Sequence, residues 1–353
     1  MPKVPAGRRN RGRGVRRLVG SLLALFCVSL GGARGEGLDL ANVRQAAAYS
    51  ARCRGVSLLV IQHGRVIFAE YANGHSAGKT LKIYSGTKAF WNLAALAAVQ
   101  DGLLRLDERV AATLSEWSAD PRKARVTVRM LLDFSSGLEP GTFLHGDGVP
   151  NRCACALGLP MVVEPGSAFQ YGPAPLQVFH EVLERKLARR GETPTKYLER
   201  RVLRPMGLDA QRYLKDRAGD PLLATGWMLT AREWSAMGRV VLAGGAPVLR
   251  RGSLIPALHG SAANRAFALG WWNNRAAPGG REFDFEDMLE RDWNRQSWSG
   301  AVICRAAPPD LLACIGSGYQ RQYVVPALGL IVVRQGLGGR FSDAQFLRTL
   351  LGK

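Results

Sequence analysis

The sequence predicts an α/β protein of the α+β kind: an antiparallel sheet flanked by helices, with a mostly helical lobe inserted into it. Three observations predict this. β-rich runs lie towards both ends of the chain, at about 50–75 and 265–350. Helical patterns fill the middle, at about 105–260. Between them, residues 85–101 are apolar on nearly every face, which marks a buried helix. One sheet built from both termini is the simplest arrangement that accommodates all three.

Residues 1–35 read as a signal peptide. Seven basic side chains precede a 13-residue apolar run at 18–30, and Ala33-Arg34-Gly35 supplies a cleavage site. That run is short of the roughly 20 residues a membrane helix needs. Membrane attachment is therefore expected only through an uncleaved signal, and the location is expected to be periplasmic or secreted. Neither Arg16-Arg17 nor Cys27 has the neighbours that a twin-arginine or lipoprotein signal requires. Residues 36–353 are read as one domain.

The elements follow in order. Residues 38–51 are helix-like. Residues 56–62 and 66–71 are β-rich and joined by His63-Gly64-Arg65, a hairpin pattern. Gly102 stops the buried helix. Residues 126–132 form a short helix or strand, and 139–160 a Gly/Pro/Cys-rich loop without periodicity. Residues 177–189, 193–202 and 230–242 are helical, the last stopped by Gly244-Gly245. Strands are expected at 271–272 and 302–304, then at 311–315, 322–325 and 330–334 as an antiparallel set, before a final helix at 341–351.

Composition narrows the function classes. Apolar residues make up 47% and charged residues 22%, as in a packed globular protein rather than a disordered one. The net charge of +20 includes +8 from residues 1–35, which leaves a basic body of +12. No Lys/Arg run interleaved with aromatics accompanies it, so a solvated basic surface is expected and nucleic acid is not. Cys304 and Cys314 flank a Pro308-Pro309-Asp310 turn and are either a disulfide across two strands or two buried thiols. Cys153-Ala154-Cys155 lacks zinc-site partners at a useful spacing, and the five histidines are scattered, so no metal is expected. No organic cofactor is expected either.

Four places carry possible chemistry. Ser85-Gly86-Thr87-Lys88 is an S-x-x-K at the start of the buried helix. Residues three apart share a helix face, so Lys88 reaches the Ser85 hydroxyl. A lysine crowded into an apolar site loses its proton readily and becomes a base; the bland alternative is a capping serine and a surface lysine. Tyr171, after Glu164-Pro165-Gly166, stands just before a helix and offers a phenol for proton transfer, or is simply a half-buried tyrosine. Gly316-Ser317-Gly318-Tyr319 ends a strand and offers either an oxyanion-binding N–H or only a bulge. Gly74-His75-Ser76-Ala77-Gly78 matches G-x-S-x-G, but no helix is expected directly after it, so it reads as a chance turn.

In their order these pieces resemble the class C β-lactamase, D,D-peptidase, β-lactamase-like esterase and nylon-oligomer hydrolase group. The resemblance spans about residues 50–350 and rests on SLLVIQHGRVIFAEYANG, IYSGTKAFWNLAALAAVQDGLLRLDERV, VTVRMLLDFSSGL, EPGSAFQYGPAPLQVFHEVL, TGWMLTARE and PDLLACIGSGYQRQYVVPALGLIVV. It implies a β-lactamase/transpeptidase-like fold, with Ser85 as acylated nucleophile, Lys88 as its base and Tyr171 as proton shuttle. It also implies that Gly316, Ser317, Gly318 and Tyr319 border the substrate, with the N–H groups of Ser85 and Tyr319 binding the oxyanion. Two positions depart from the group. Tyr171-Gly172-Pro173 replaces Tyr-x-Asn, and Gly316 stands where a lysine or histidine is usual. Both weaken recognition of β-lactams or D-Ala-D-Ala, so a small-molecule ester or amide is the expected substrate. Arg321 is expected to reshape the pocket or to restore positive charge. A peptidase or β-lactamase of cell-wall-like amides, and an inactive scaffold that binds an envelope ligand, are the competing readings.

Overall fold

Long β-branched runs from the two ends of the chain pair with each other in the computed structural model, which describes residues 37–284, 286 and 298–353. The signal-peptide reading of 1–35, with Arg16-Arg17 and Cys27, lies outside the described residues. The strands are β1 (Gly55–Gln62), β2 (Arg65–Tyr71), β3 (Leu81–Lys82), β4 (Met228–Leu229), β5 (Phe267–Ala268), β6 (Trp271–Asn273), β7 (Arg281–Glu282), β8 (Ala301–Val302), β9 (Leu312–Gly316), β10 (Gln320–Val325) and β11 (Leu330–Gly336). Seven form one antiparallel sheet in the order β2-β1-β11-β10-β9-β6-β5. Leu59 faces Val333, so residues 274 apart in sequence share a ladder, and Tyr323 faces Val332 on the next strand. β1, β9, β10 and β11 are buried along their whole lengths, and their side chains are covered on both faces.

The two covers follow from the period-2 alternation of strands. On one face Tyr323 stacks on Phe346 of the C-terminal helix Asp343–Leu351, at 5.8 Å between ring centroids. On the other, Ile331 lies against Gly238 of helix Ala231–Leu242, where an added Cβ would come within 2.7 Å of its methyl. That helix begins in a capping box in which Thr230 and Glu233 satisfy each other's backbone N–H groups. The lobe rests on this second face and contains Val128–Leu132, Arg152–Gly158, Ala174–Ala188 and Pro194–Leu198.

One expectation changes here, and one open alternative is decided. The stretch read as a structureless loop at 139–160 contains the helix Arg152–Gly158, started by the Asn151 side chain accepting from Ala154 N. Seven residues are too few to show a helical period above the Gly/Pro background. The Cys304–Cys314 disulfide is not formed: both thiols are free and buried. Cys304 Sγ donates to Ala344 O and Cys314 Sγ to Gly86 O, so the two sit against different neighbours. The other reading of that pair, two buried thiols, is the one observed.

Candidate active site

Ser85 sits at the meeting of sheet and lobe. It lies in a single 3-10 turn, Tyr84–Thr87, and the α-helix proper begins at Lys88 and runs to Gln100. The helix expected from residue 85 thus begins three residues later, after a 3-10 turn; Tyr84, which opens that turn, adopts φ +47°, a left-handed conformation that an α-helix does not enter. A non-glycine residue held there stores local strain beside the candidate nucleophile.

From Lys88 to Ala98 every residue of the helix is buried. Lys88 therefore has little water around its amine. Its Nζ donates to Ser85 Oγ at 2.8 Å and to Ala224 O at 2.9 Å, both uncharged partners. Burial depresses its pKa to about 7, against a small opposing effect from the Cys314 thiol beneath it. Near neutrality the amine is thus poised to take a proton from the Ser85 hydroxyl.

Tyr171 completes the group. Its ring lies 4.8 Å from Lys88 Nζ, and its hydroxyl bonds to Ser85, which offsets part of the strong upward push of burial on its pKa. Phe134 packs edge-on against it at 4.9 Å, and Phe267 at 6.0 Å, so the phenol is held by an aromatic wall. Gly172 is demanded by the next step of the chain: a Cβ there would fall 2.2 Å from Pro140 O. Pro173 caps helix Ala174–Ala188 and borders the cavity, so a ring of hydrocarbon stands where an amide is usual.

The cavity over Ser85 measures about 600 Å³. Lys82, Thr142, His145, Asp147, Leu214 and Thr225 line it beside Ser85, Lys88 and Tyr171. Sequence reasoning missed those six, since they come from a 3-10 turn, a short strand and loops with no motif. His145 is held neutral, its pKa lowered to about 4 by burial first and by Lys88, Lys82 and Arg152 next. Lys82 brings positive charge to the mouth from a position three residues before Ser85, rather than from position 316.

The glycine-rich end of β9 is brought in unevenly. Ser317 borders the cavity. Gly316 is packed on the chain just before Ser85, where a Cβ would sit 2.0 Å from Ile83 O. Only glycine fits, which explains the missing side chain at this position. Gly318 adopts φ +71° and lies near the Tyr84 ring. Tyr319 N–H, expected as an oxyanion donor, donates here to Glu286 Oε1 at 2.9 Å.

The expectation for Arg321 is overturned. Tyr323 faces the C-terminal helix, and Arg321, two residues earlier, faces the same way. It is fully buried and grips Asp343 with two nitrogens, at 2.6 and 3.1 Å, on the sheet face opposite Ser85. It reaches towards the site through its guanidinium, which donates to Gly316 O at 3.0 Å and lies 3.5 Å from the Glu286 carboxylate that accepts from Tyr319 N–H. Ser76 in the rival G-x-S-x-G lies exposed in a turn region that leads to β3, not to a helix.

Comparison with known proteins adds to this geometry. The family model described as Beta-lactamase matches residues 40–334. The lovastatin esterase of Penicillium rubens is 28% identical over 200 residues, which are 49% of this chain and 49% of that protein. The chain thus matches about half the length of this curated relative. EstCE1, a hydrolase with promiscuous acyltransferase activity, superposes with a TM-score of 0.61 at 19% identity, over 88% of this chain and 95% of that one. A D-stereospecific amidohydrolase from Streptomyces gives 0.61 at 17%, over 89% and 99%. At such identities the likeness shows the fold, which is β-lactamase/transpeptidase-like. With that family model matched from the first helix to the last strand of the sheet, the chain belongs to the beta-lactamase family of serine hydrolases.

Proposed function

We propose that the protein is an exported esterase or amidase acting through Ser85, Lys88 and Tyr171, with small-molecule esters as its preferred substrates. The observation that carries this is the 2.8 Å bond between a fully buried lysine and the Ser85 hydroxyl. Ser85 Oγ attacks the carbonyl while its proton passes to Lys88 Nζ, and Tyr171 relays that proton to the leaving group. The oxyanion rests on the N–H groups of Ser85 and Tyr319, the latter freed as substrate displaces the Glu286 carboxylate. Water then releases the acyl group from Ser85.

Esters are favoured over cell-wall amides because positions 173 and 316 carry Pro and Gly, which offer a substrate amide or carboxylate no side-chain partner. The partial likeness to a lovastatin esterase supports the same reading. Export rests on the pattern of residues 1–35.

Intact-mass labelling with a fluorophosphonate tests the nucleophile. One adduct is expected, and it is absent from Ser85→Ala. An adduct that persists in Ser85→Ala would move the nucleophile elsewhere, and no adduct on folded protein would favour the inactive scaffold. A panel of esters, amides and a chromogenic cephalosporin then separates the substrate classes. Faster turnover of the cephalosporin than of any ester would favour the peptidase and β-lactamase reading.

A further inference from the structure

A second cluster of reactive side chains lies in the lobe, outside the Ser85 cavity. Cys153 on helix Arg152–Gly158, His180 on helix Ala174–Ala188 and Asp220 on the following loop bring one ligand atom each within 4.8 Å of one another. Cys153 and His180 are buried. Cys153 Sγ lies 3.3 Å from His180 Nδ1 and also meets the Asp220 carboxylate and Gln177 Nε2, the latter at 3.6 Å. Glu184, one turn beyond His180, places Oε2 3.9 Å from the same ring nitrogen. Asp216 stands behind them, accepting from Asp220 N at 2.9 Å and from Arg152 N at 2.7 Å.

We infer that Cys153, His180 and Asp220 form a metal site for a zinc-like divalent cation, with Glu184 in reach as a fourth ligand. The donor set is one thiolate, one imidazole and carboxylate oxygen, which suits borderline-soft zinc better than magnesium or calcium. The spacing suits it too. Bonds of about 2.3 Å to sulfur and about 2.0 Å to nitrogen at a tetrahedral angle put the two atoms about 3.5 Å apart; they are 3.3 Å apart here. Three carboxylates gathered round a buried thiol and ring are offset by a dication. On binding, the Cys153 thiol proton leaves to solvent and the sulfur lone pair takes the metal, while His180 binds as the neutral ring.

The role is structural. The ion joins two helices and the loop that starts at Asp220. Leu223 N in that loop donates to Gln177 Oε1, and the next carbonyl, Ala224 O, holds Lys88 Nζ. Spacing along the chain hides the site, because 27 residues separate Cys153 from His180 and 40 separate His180 from Asp220.

The test uses the whole protein, stripped with chelator and titrated with Zn²⁺ and with Co²⁺. Expected are one Zn²⁺ per chain, a melting temperature raised by about 5 °C, and a thiolate-to-cobalt charge-transfer band in the near ultraviolet. Cys153→Ser is expected to abolish the band and weaken Zn²⁺ binding by about 100-fold or more. Asp220→Asn is expected to weaken binding while keeping the band, and a cooperative melt of each variant shows that it is folded. Absence of both the band and the melting shift in the unmodified protein would overturn the assignment, as would a band that survives Cys153→Ser.

Discussion

Lys88 ends against a hydroxyl and a carbonyl, with its whole stem in an apolar helix. A buried cation without a counter-charge gives up its proton, and its pKa falls to about 7. In the proposed mechanism the neutral amine is the base, so activity is predicted to be present above that pKa and lost as pH falls through it. Lys88→Met removes the base without adding bulk, and kcat for an ester is predicted to fall by about 10² to 10⁴. A loss of less than threefold would remove Lys88 from the chemistry. Tyr171→Phe keeps the aromatic wall but deletes the hydroxyl of the proposed shuttle. It is predicted to lower kcat by about 10² or more while leaving KM within a few-fold, and an unchanged kcat would reduce Tyr171 to a packing role. His145 is uncharged down to about pH 4, so it adds no inflection near neutrality.

Strand alternation decides which residues of the β9–β10 hairpin can touch substrate. Gly316 abuts Ile83 O, and Arg321 turns to the other face, into a buried pair with Asp343 that also receives the Tyr323 hydroxyl. Gly316→Ala is predicted to shift the turn carrying Ser85, lowering stability by about 1–3 kcal/mol and cutting ester turnover; a denaturation midpoint and turnover equal to those of the parent would contradict the close approach. Arg321→Met leaves Asp343 buried without its partner. It is predicted to cost about 3–5 kcal/mol in denaturant unfolding, with KM for an acidic ester unchanged under conditions where the variant is folded. A KM that rises for acidic but not for neutral esters would return Arg321 to the pocket.

Across the whole molecule, much of the architecture was legible because it rests on simple periodicities. The hairpin β1–β2, the apolar helix after Ser85 and the C-terminal strands all show their burial pattern in one dimension. The S-x-x-K was legible because both residues share one helical turn. Residues gathered by the fold were not. Lys82, His145, Asp147 and Thr225 meet over Ser85 from three separate segments, and no spacing announces them. The choice between a bridge and two thiols at Cys304 and Cys314 stayed open for the same reason, since a turn between two cysteines says nothing of which side each faces. All five described cysteines are free, so the folded protein is predicted to melt at the same temperature with and without reductant, and denatured protein to show equal thiol counts either way. A melting temperature several degrees lower in reductant would restore a bridge.

The most direct test is the pH dependence of Ser85 acylation, followed by intact mass with an activated ester, in the parent and in Lys88→Met. A buried lysine acting as base predicts a rate that rises through a single inflection near pH 7 and levels off above it, with the adduct on Ser85 and the inflection gone in the variant. A rate that ignores pH between 5 and 9, or an inflection that survives the loss of Lys88, would contradict it.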